Sequence, residues 1–159
     1  MSIPRHRIRE LAPHDRPVLT QILVESEPWL ALGYEAKDWE HLFSSIPVAR
    51  EGYVIESNGA ASGIAVIRPR VFLGDYLELL AVAPDKRGQG MGAALLTFVE
   101  NVAFARAKNL FVCVSDFNDG ARRFYERHGY QLIGPIQNLV VAGRSELLMR
   151  KTIGPVRGR

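Results

Sequence analysis

Apolar and polar residues change rhythm several times along the chain, and each change marks an element. "HRIREL" alternates through Ile8 and Leu11, the period of a half-buried strand. From Asp15 to Glu27 the spacing becomes helical, with Val18, Leu19, Ile22 and Leu23 on one face and Pro28 as the stop. A turn and a second short helix follow in "EPWLALGYEAKDWEHLF", whose large aromatics are Trp29, Tyr34 and Trp39. "GYVIES" and "ASGIAVIRPR" read as strands. The "NGA" between them predicts an antiparallel hairpin, because Asn and Gly accept the positive φ of such turns.

The second half changes connectivity. "FLGDYLELLAV" reads as a strand ending at Pro84, and Leu95, Leu96, Val99, Val102 and Ala103 place a long helix over about Gly90 to Lys108. "LFVCVS" is almost wholly apolar, as a strand buried on both faces is, and the crossover helix before it makes it parallel to its predecessor. A further helix is predicted over Gly120 to His128, and "GYQLIG" and "RSELLMRK" complete the sheet. Antiparallel strands, one βαβ crossover and strands again define the fold class as α+β. With no repeat or linker, residues 1–159 are expected to form one domain, its core over about 7–151 and its tail over 152–159 flexible.

Composition narrows the setting. A hydrophobic fraction of 47% supports one ordinary core. The single cysteine, Cys113, excludes an internal disulfide framework and a thiolate metal cluster, and it points to a reducing compartment, hence the cytoplasm. Cys113 itself reads as a small buried apolar residue. The start "MSIPRHRIRE" has no apolar signal region, and no later run approaches the roughly 18 apolar residues of a membrane span. A net charge of +3 is spread along the chain, and the basic tail "RKTIGPVRGR" reads as a solvated end rather than a nucleic-acid site. The four histidines show no metal-ligand spacing, so no metal is expected.

Candidate chemistry begins at "VAPDKRGQGMGAAL", where Gly88, Gly90 and Gly92 lie between a strand and a helix. Helix N-termini present unpaired N–H groups and partial positive charge, and glycine lets an anion approach them closely. Lys86 and Arg87 add charge beside that turn. Read for structure alone, the same glycines make a tight strand-to-helix connection. The Gly-Lys-Ser/Thr of a P-loop is absent, which removes a nucleotide triphosphatase. "GQGMGA" fits the letters of a dinucleotide fingerprint, with Asp116 as ribose ligand, but Ala83 to Arg87 separate it from its strand and the N-terminal strands are antiparallel.

The segment "VAPDKRGQGMGAAL" resembles the acetyl-CoA-binding motif of the GCN5-related N-acetyltransferase (GNAT) family, through Val82, Pro84, Arg87, Gly88, Gly90 and Gly92. "NDGARRFYERHGY" is similar to that family's second cofactor motif, with Asn118, Phe124, Tyr125, Gly129 and Tyr130 matching. The element order agrees from about Arg7 to Lys151. The resemblance implies a mostly antiparallel twisted sheet whose central parallel strands, here "LELLAV" and "LFVCVS", splay into a V that takes the pantetheine arm of acetyl-CoA. Backbone groups of Leu80, Ala81 and Val82 would hold that arm, an N–H near Leu80 would face the thioester oxygen, and Arg87, Gly88, Gln89, Gly90, Met91 and Gly92 would take the pyrophosphate. Asn118 and Tyr125 would complete the cofactor site. Many members dimerise, so a homodimer is among the partners the resemblance allows, although no segment here specifies one.

The implied activity is direct acetyl transfer to a primary amine of a small molecule, peptide or protein. Tyr125 is the expected general acid for the leaving thiolate, a role the family assigns to the Tyr of this motif. Glu78, a carboxylate in an otherwise apolar strand, is the leading candidate for the base; read for structure alone, it is an ion-paired carboxylate at the edge of the V. Asp75 and Tyr76 are reserves. Relatives that acetylate the N-terminus of a ribosomal protein carry an acid at the position of Cys113, five residues before Asn118, and its absence here weighs against such an acceptor. Trp29, Tyr34 and Trp39, with Glu78, are expected to line the acceptor site and Glu35 or Asp38 to draw the ammonium; read for structure alone, the aromatics are core residues, and at least one of them is expected to be so. The alternative is a CoA-binding sensor without chemistry.

Overall fold

A computed structural model describes residues 6–158 of the chain; Arg159, the end of the expected tail, lies outside the described residues. Strands β1 (His6–Glu10), β2 (Glu51–Ser57), β3 (Ala60–Val71), β4 (Gly74–Val82), β5 (Asn109–Ser115), β6 (Gln131–Gln137) and β7 (Ser145–Thr152) form one sheet. Helices α1 (Arg16–Val24), α2 (Ala36–Ser44), α3 (Met91–Phe104) and α4 (Asp119–Arg127) connect and cover it. The sheet order is β1-β2-β3-β4-β5-β7-β6, and β4–β5 is its parallel pair. This is the α+β arrangement expected from the sequence, with antiparallel strands flanking one crossover.

Both faces of the sheet are covered. In β3 the successive residues Ile64, Ala65, Val66 and Ile67 are all fully buried, alternating between two cores. Ala65 and Ile67 pack with Leu95, Leu96 and Val99 of α3, whereas Ile64 and Val66 pack with Leu19 and Leu23 of α1 and Trp39 and Phe43 of α2. Burying apolar surface on two sides explains why these strands carry no polar stripe. Gly63 makes the approach of α3 possible: a Cβ there would stand 2.8 Å from the Ala81 carbonyl and 3.3 Å from Leu95.

Several boundaries differ from the expected ones for local reasons. The first helix stops at Val24 rather than Glu27, since the Ser26 hydroxyl donates to the Ile22 carbonyl at 2.6 Å and the chain then turns through Pro28. The helix expected over Gly90 to Lys108 spans Met91 to Phe104, with Gly90 in the left-handed N-cap position and Arg106 turned toward Asp75 and Glu51. "FLGDYLELLAV" is not one strand: Phe72 and Leu73, at φ +43° and +61°, are the exposed turn between β3 and β4. Those φ values suit glycine or asparagine, so the sequence carries no turn signal there. The expected "NGA" hairpin is present, with Asn58 at φ +52° and Gly59 at +81°. Strand β7 reaches Thr152, one residue beyond the expected core, and the Ile153 N–H donates to the Lys108 carbonyl.

One ion pair ties β1 to the following turn. Arg9 donates to both oxygens of buried Asp15, at 2.7 and 2.8 Å, and the Ala12 N–H donates to the same carboxylate at 2.8 Å. The Arg9 hydrogen bonds hold the Asp15 carboxyl below its ordinary value of 3.8. A carboxylate held low stabilises the fold fully above the unfolded value and loses that contribution as pH falls through the folded one. Asp15→Ala is therefore expected to cost about 1.5–3 kcal/mol near neutral pH. The difference from the parent should begin to narrow at about pH 4 and close only as pH falls through the lowered folded value, which urea midpoints measured across pH will show.

Candidate active site

The gap between β4 and β5 organises the site. The two strands pair only over Asp75–Leu77 and Leu110–Val112, and from Glu78 and Cys113 onward they part. A β-bulge explains the opening. Val66 pairs with Leu79 and Ile67 with Leu77, so Glu78 is the extra residue on β4. Bulges bend a strand and increase its twist. Glu78 thus sits at the apex of the V, and Leu79 to Val82 run along its arm with β3 on one side and no strand partner on the other. Leu80, Ala81 and Val82 lie on this unpartnered arm.

Past the end of β4, a turn over Pro84–Lys86 leads into the glycine loop. Gly88 (φ +74°) and Gly90 (φ +80°) are both left-handed, and a Cβ on either would meet nothing within 4 Å. The constraint there is conformational, and the space above it is open. None of the N–H groups from Arg87 to Ala93 donates to a carbonyl within the described residues, so α3 begins with an unsatisfied cluster of donors. A cavity of about 390 Å³ lies over this cluster, lined by Lys86, Arg87, Gly88, Gly90, Gly92 and Arg127 among others. These observations fit a diphosphate. Arg127 of α4 and His128, which follows it, escaped sequence reasoning; the Arg-Arg-Phe-Tyr-Glu-Arg pattern gave no sign which cation turns to the loop. Met91 contributes differently from the other loop residues: its side chain is 1% exposed and belongs to the core, leaving its N–H for a ligand.

Helix α4 carries the second motif. Asn118 caps it, its Oδ1 accepting from the Ala121 N–H at 3.2 Å, and its amide nitrogen is the donor it has left for a ligand. Tyr125 is buried, its ring edge-on to Phe124 and Tyr130 at 5.3 and 5.2 Å. Its hydroxyl has no hydrogen-bond partner among the described residues, and burial raises it above its ordinary value of 10.0. The phenol is thus kept protonated, as a proton donor must be.

On the other side of the apex, Arg50 grips both oxygens of Glu78 at 2.5 and 3.0 Å, and Arg68 Nε lies 3.9 Å away. Tyr34 stacks on Trp39 with centroids 5.0 Å apart, and Trp29 meets Trp39 edge-on at 5.6 Å. Trp39 is core; Trp29 and Tyr34 are half-buried at the margin. Burial raises the Tyr34 hydroxyl, and Glu146, Asp38 and Glu78 add to the effect, which places those carboxylates within its electrostatic reach. Tyr76 and Cys113 lie within electrostatic reach of each other, and burial raises both groups above their ordinary values. Glu35 and Asp38, expected to draw an ammonium, are engaged locally: Glu35 pairs with Lys37 at 3.0 Å, and the Glu35 N–H donates to Asp38 at 2.8 Å. Asp75, a reserve base, is buried at the closed end of β4 in a pair with Arg106, 2.7 Å away, and belongs to the fold rather than the site. Glu146, half-buried at the start of β7, had not been singled out from the sequence; within "RSELLMRK" it reads as an ordinary strand residue facing solvent.

The model of the "Acetyltransferase (GNAT) family" matches residues 7–130. The chain is 27% identical over 132 residues to the 5-NmdU N-acetyltransferase of Pseudomonas phage PaMx11, covering 80% of this chain and 88% of that protein. It is also 27% identical over 133 residues to the peptidyl-lysine N-acetyltransferase YiaC of Escherichia coli strain K12, covering 79% and 84%. Among solved structures, an aminoglycoside 6'-N-acetyltransferase complexed with coenzyme A superimposes with a TM-score of 0.78 at 20% identity, over 96% of this chain and 99% of that one.

Proposed function

The chain belongs to the GNAT family of acetyltransferases and is an acyltransferase, and from that premise we propose that it carries the acetyl group of acetyl-CoA directly to a primary amine of a small molecule, peptide or protein. The observation that carries this reading is the parting of β4 from β5 beside a bare left-handed glycine loop. The unpartnered edge from Leu79 to Val82 offers strand-like hydrogen bonds to a pantetheine arm. The free N–H cluster at Gly88 to Gly92, with Lys86, Arg87 and Arg127 around it, offers a seat for a diphosphate. Donors aimed at the charge that develops in a transition state supply much of the rate, and the Leu80 N–H takes that role for the thioester oxygen.

Tyr125 gives its proton to the departing thiolate. Glu78, at the apex, draws the acceptor ammonium to the mouth of the V, with Trp29 and Tyr34 as its apolar wall. Cys113 is held as a thiol by burial, which supports transfer without an acyl-enzyme. A cytoplasmic location belongs to the same reading and rests on the single reduced cysteine and the acetyl-CoA donor.

Acetyl-CoA mixed with the protein and a panel containing a lysine peptide, an alanine-initiated peptide and an aminoglycoside tests this. Protein-dependent release of free thiol with at least one amine is the expected result. Calorimetric binding of CoA with no release for any amine would return the sensor reading.

A further inference from the structure

An alkylamine is an ammonium at neutral pH and must lose a proton before it attacks a thioester. Glu78 is poorly placed to take it. Both of its oxygens are engaged by Arg50, and protonating it would leave Arg50 partly buried without its counter-charge.

Glu146 presents the opposite situation. It lies on β7 in register with Ser115, the last residue of β5 along the open arm of the V. The Ser115 hydroxyl donates to its Oε1 at 3.2 Å, while Oε2 is sealed from solvent with no hydrogen-bond partner. No cation of the described residues lies within 4.0 Å of it. The titratable and charged groups around it are Cys113 and Asp116 from β5 and its end, Tyr76 from β4 and Tyr34 from the segment before α2, and Glu78 acts on the same two tyrosines. Asp116 is paired with Arg144 at 3.6 Å and Glu78 with Arg50, so neither neighbouring cation is free for Glu146. Its partner on β6, Ile136, carries no charge. Burial raises the Glu146 carboxyl above its ordinary value, and the Asp116 charge adds to it against the lowering effect of Ser115. An oxygen without a partner in a desolvated site is costly unless a ligand meets it, and the missing partner is a hydrogen-bond donor or a cation.

We propose that Glu146, rather than Glu78, takes the proton of the acceptor ammonium, directly or through one water, which makes the acceptor a cationic primary amine. This rests on the acetyl-transfer reading above. The step balances as follows: the ammonium N–H bond breaks, its proton goes to the Glu146 carboxylate, and the freed lone pair forms the C–N bond as the C–S bond breaks. The thiolate receives the Tyr125 proton, and the second amine proton restores the phenol through solvent.

Glu146→Gln retains the shape and the Ser115 contact but accepts no proton. Two probes separate chemistry from structure: n-butylamine, a cation at neutral pH, and hydroxylamine, which is uncharged there. With acetyl-CoA and n-butylamine, Glu146→Gln is expected to lower kcat/KM by about 10²-fold or more at neutral pH and to move the acidic limb of its pH profile upward to the ionisation of the amine itself. With hydroxylamine it should remain within a few-fold of the parent. Glu78→Gln should raise KM for n-butylamine and keep the acidic limb. Retention of rate and limb in Glu146→Gln, equal loss with both probes, or a parent active on hydroxylamine alone overturns the proposal while leaving acetyl transfer standing. A parent that releases no thiol with either probe overturns the acetyl-transfer reading itself.

Discussion

Tyr125→Phe is expected to lower kcat by about 10²–10⁴-fold, the range a positioned general acid supplies, and to leave CoA affinity within about threefold. The ring is held by Phe124 and Tyr130, and phenylalanine keeps those edge-on contacts. The lost hydroxyl has no partner among the described residues, so its removal breaks no hydrogen bond and the melting temperature should not fall. That separates a chemical role from a packing one: a packing residue would move stability and spare turnover. Burial holds the phenol above its ordinary value of 10.0, so the parent's alkaline limb in kcat should lie above that of an exposed tyrosine. Single-turnover thiol release beside calorimetry with CoA measures both quantities, and an unchanged kcat removes Tyr125 from the chemistry.

The parts of this site that could be read from the sequence are those written in local code. Three glycines at alternate positions, a proline-closed strand before them and an apolar helix after them fix the loop, since only its backbone conformation matters. The crossover topology follows from the same stretch, because a continuous apolar run after a helix has few places to go but the sheet centre. What stayed hidden depends on partners distant in sequence. Glu78 meets Arg50, 28 residues away, only because a bulge displaces it from the register of β3. A bulge is a property of the pair, and neither strand announces it. Glu146 is paired with Ser115, 31 residues earlier, and acquires its desolvated oxygen from elements that converge on it in space. The Phe72–Leu73 turn was missed for the reverse reason, since its residues contradict the local rule and the β3–β4 pairing overrides it.

Gly90→Val should weaken CoA binding by about 10²-fold while kcat at saturating acetyl-CoA stays within a few-fold. A left-handed β-branched residue costs about 1–2 kcal/mol. With no atom within 4 Å of its Cβ the variant escapes that cost by relaxing the loop rather than by disturbing the core. Relaxation turns the N–H groups of Gly90 and Met91 away from a shared anion, and two charge-assisted hydrogen bonds at about 1.5 kcal/mol each amount to that affinity loss. Gly92→Ala provides the contrast. Gly92 lies within α3, and its Cβ would stand 3.7 Å from Phe124, an ordinary contact, so alanine should raise helix stability by up to about 1 kcal/mol. If the diphosphate lies on this turn, the added methyl lowers CoA affinity even as the melting temperature rises, a pairing of signs that general destabilisation does not produce. Calorimetric titration of both variants with CoA, together with thermal melts without it, distinguishes the cases. Unchanged affinity in Gly90→Val would mean that the loop's curvature serves only the turn from β4 into α3.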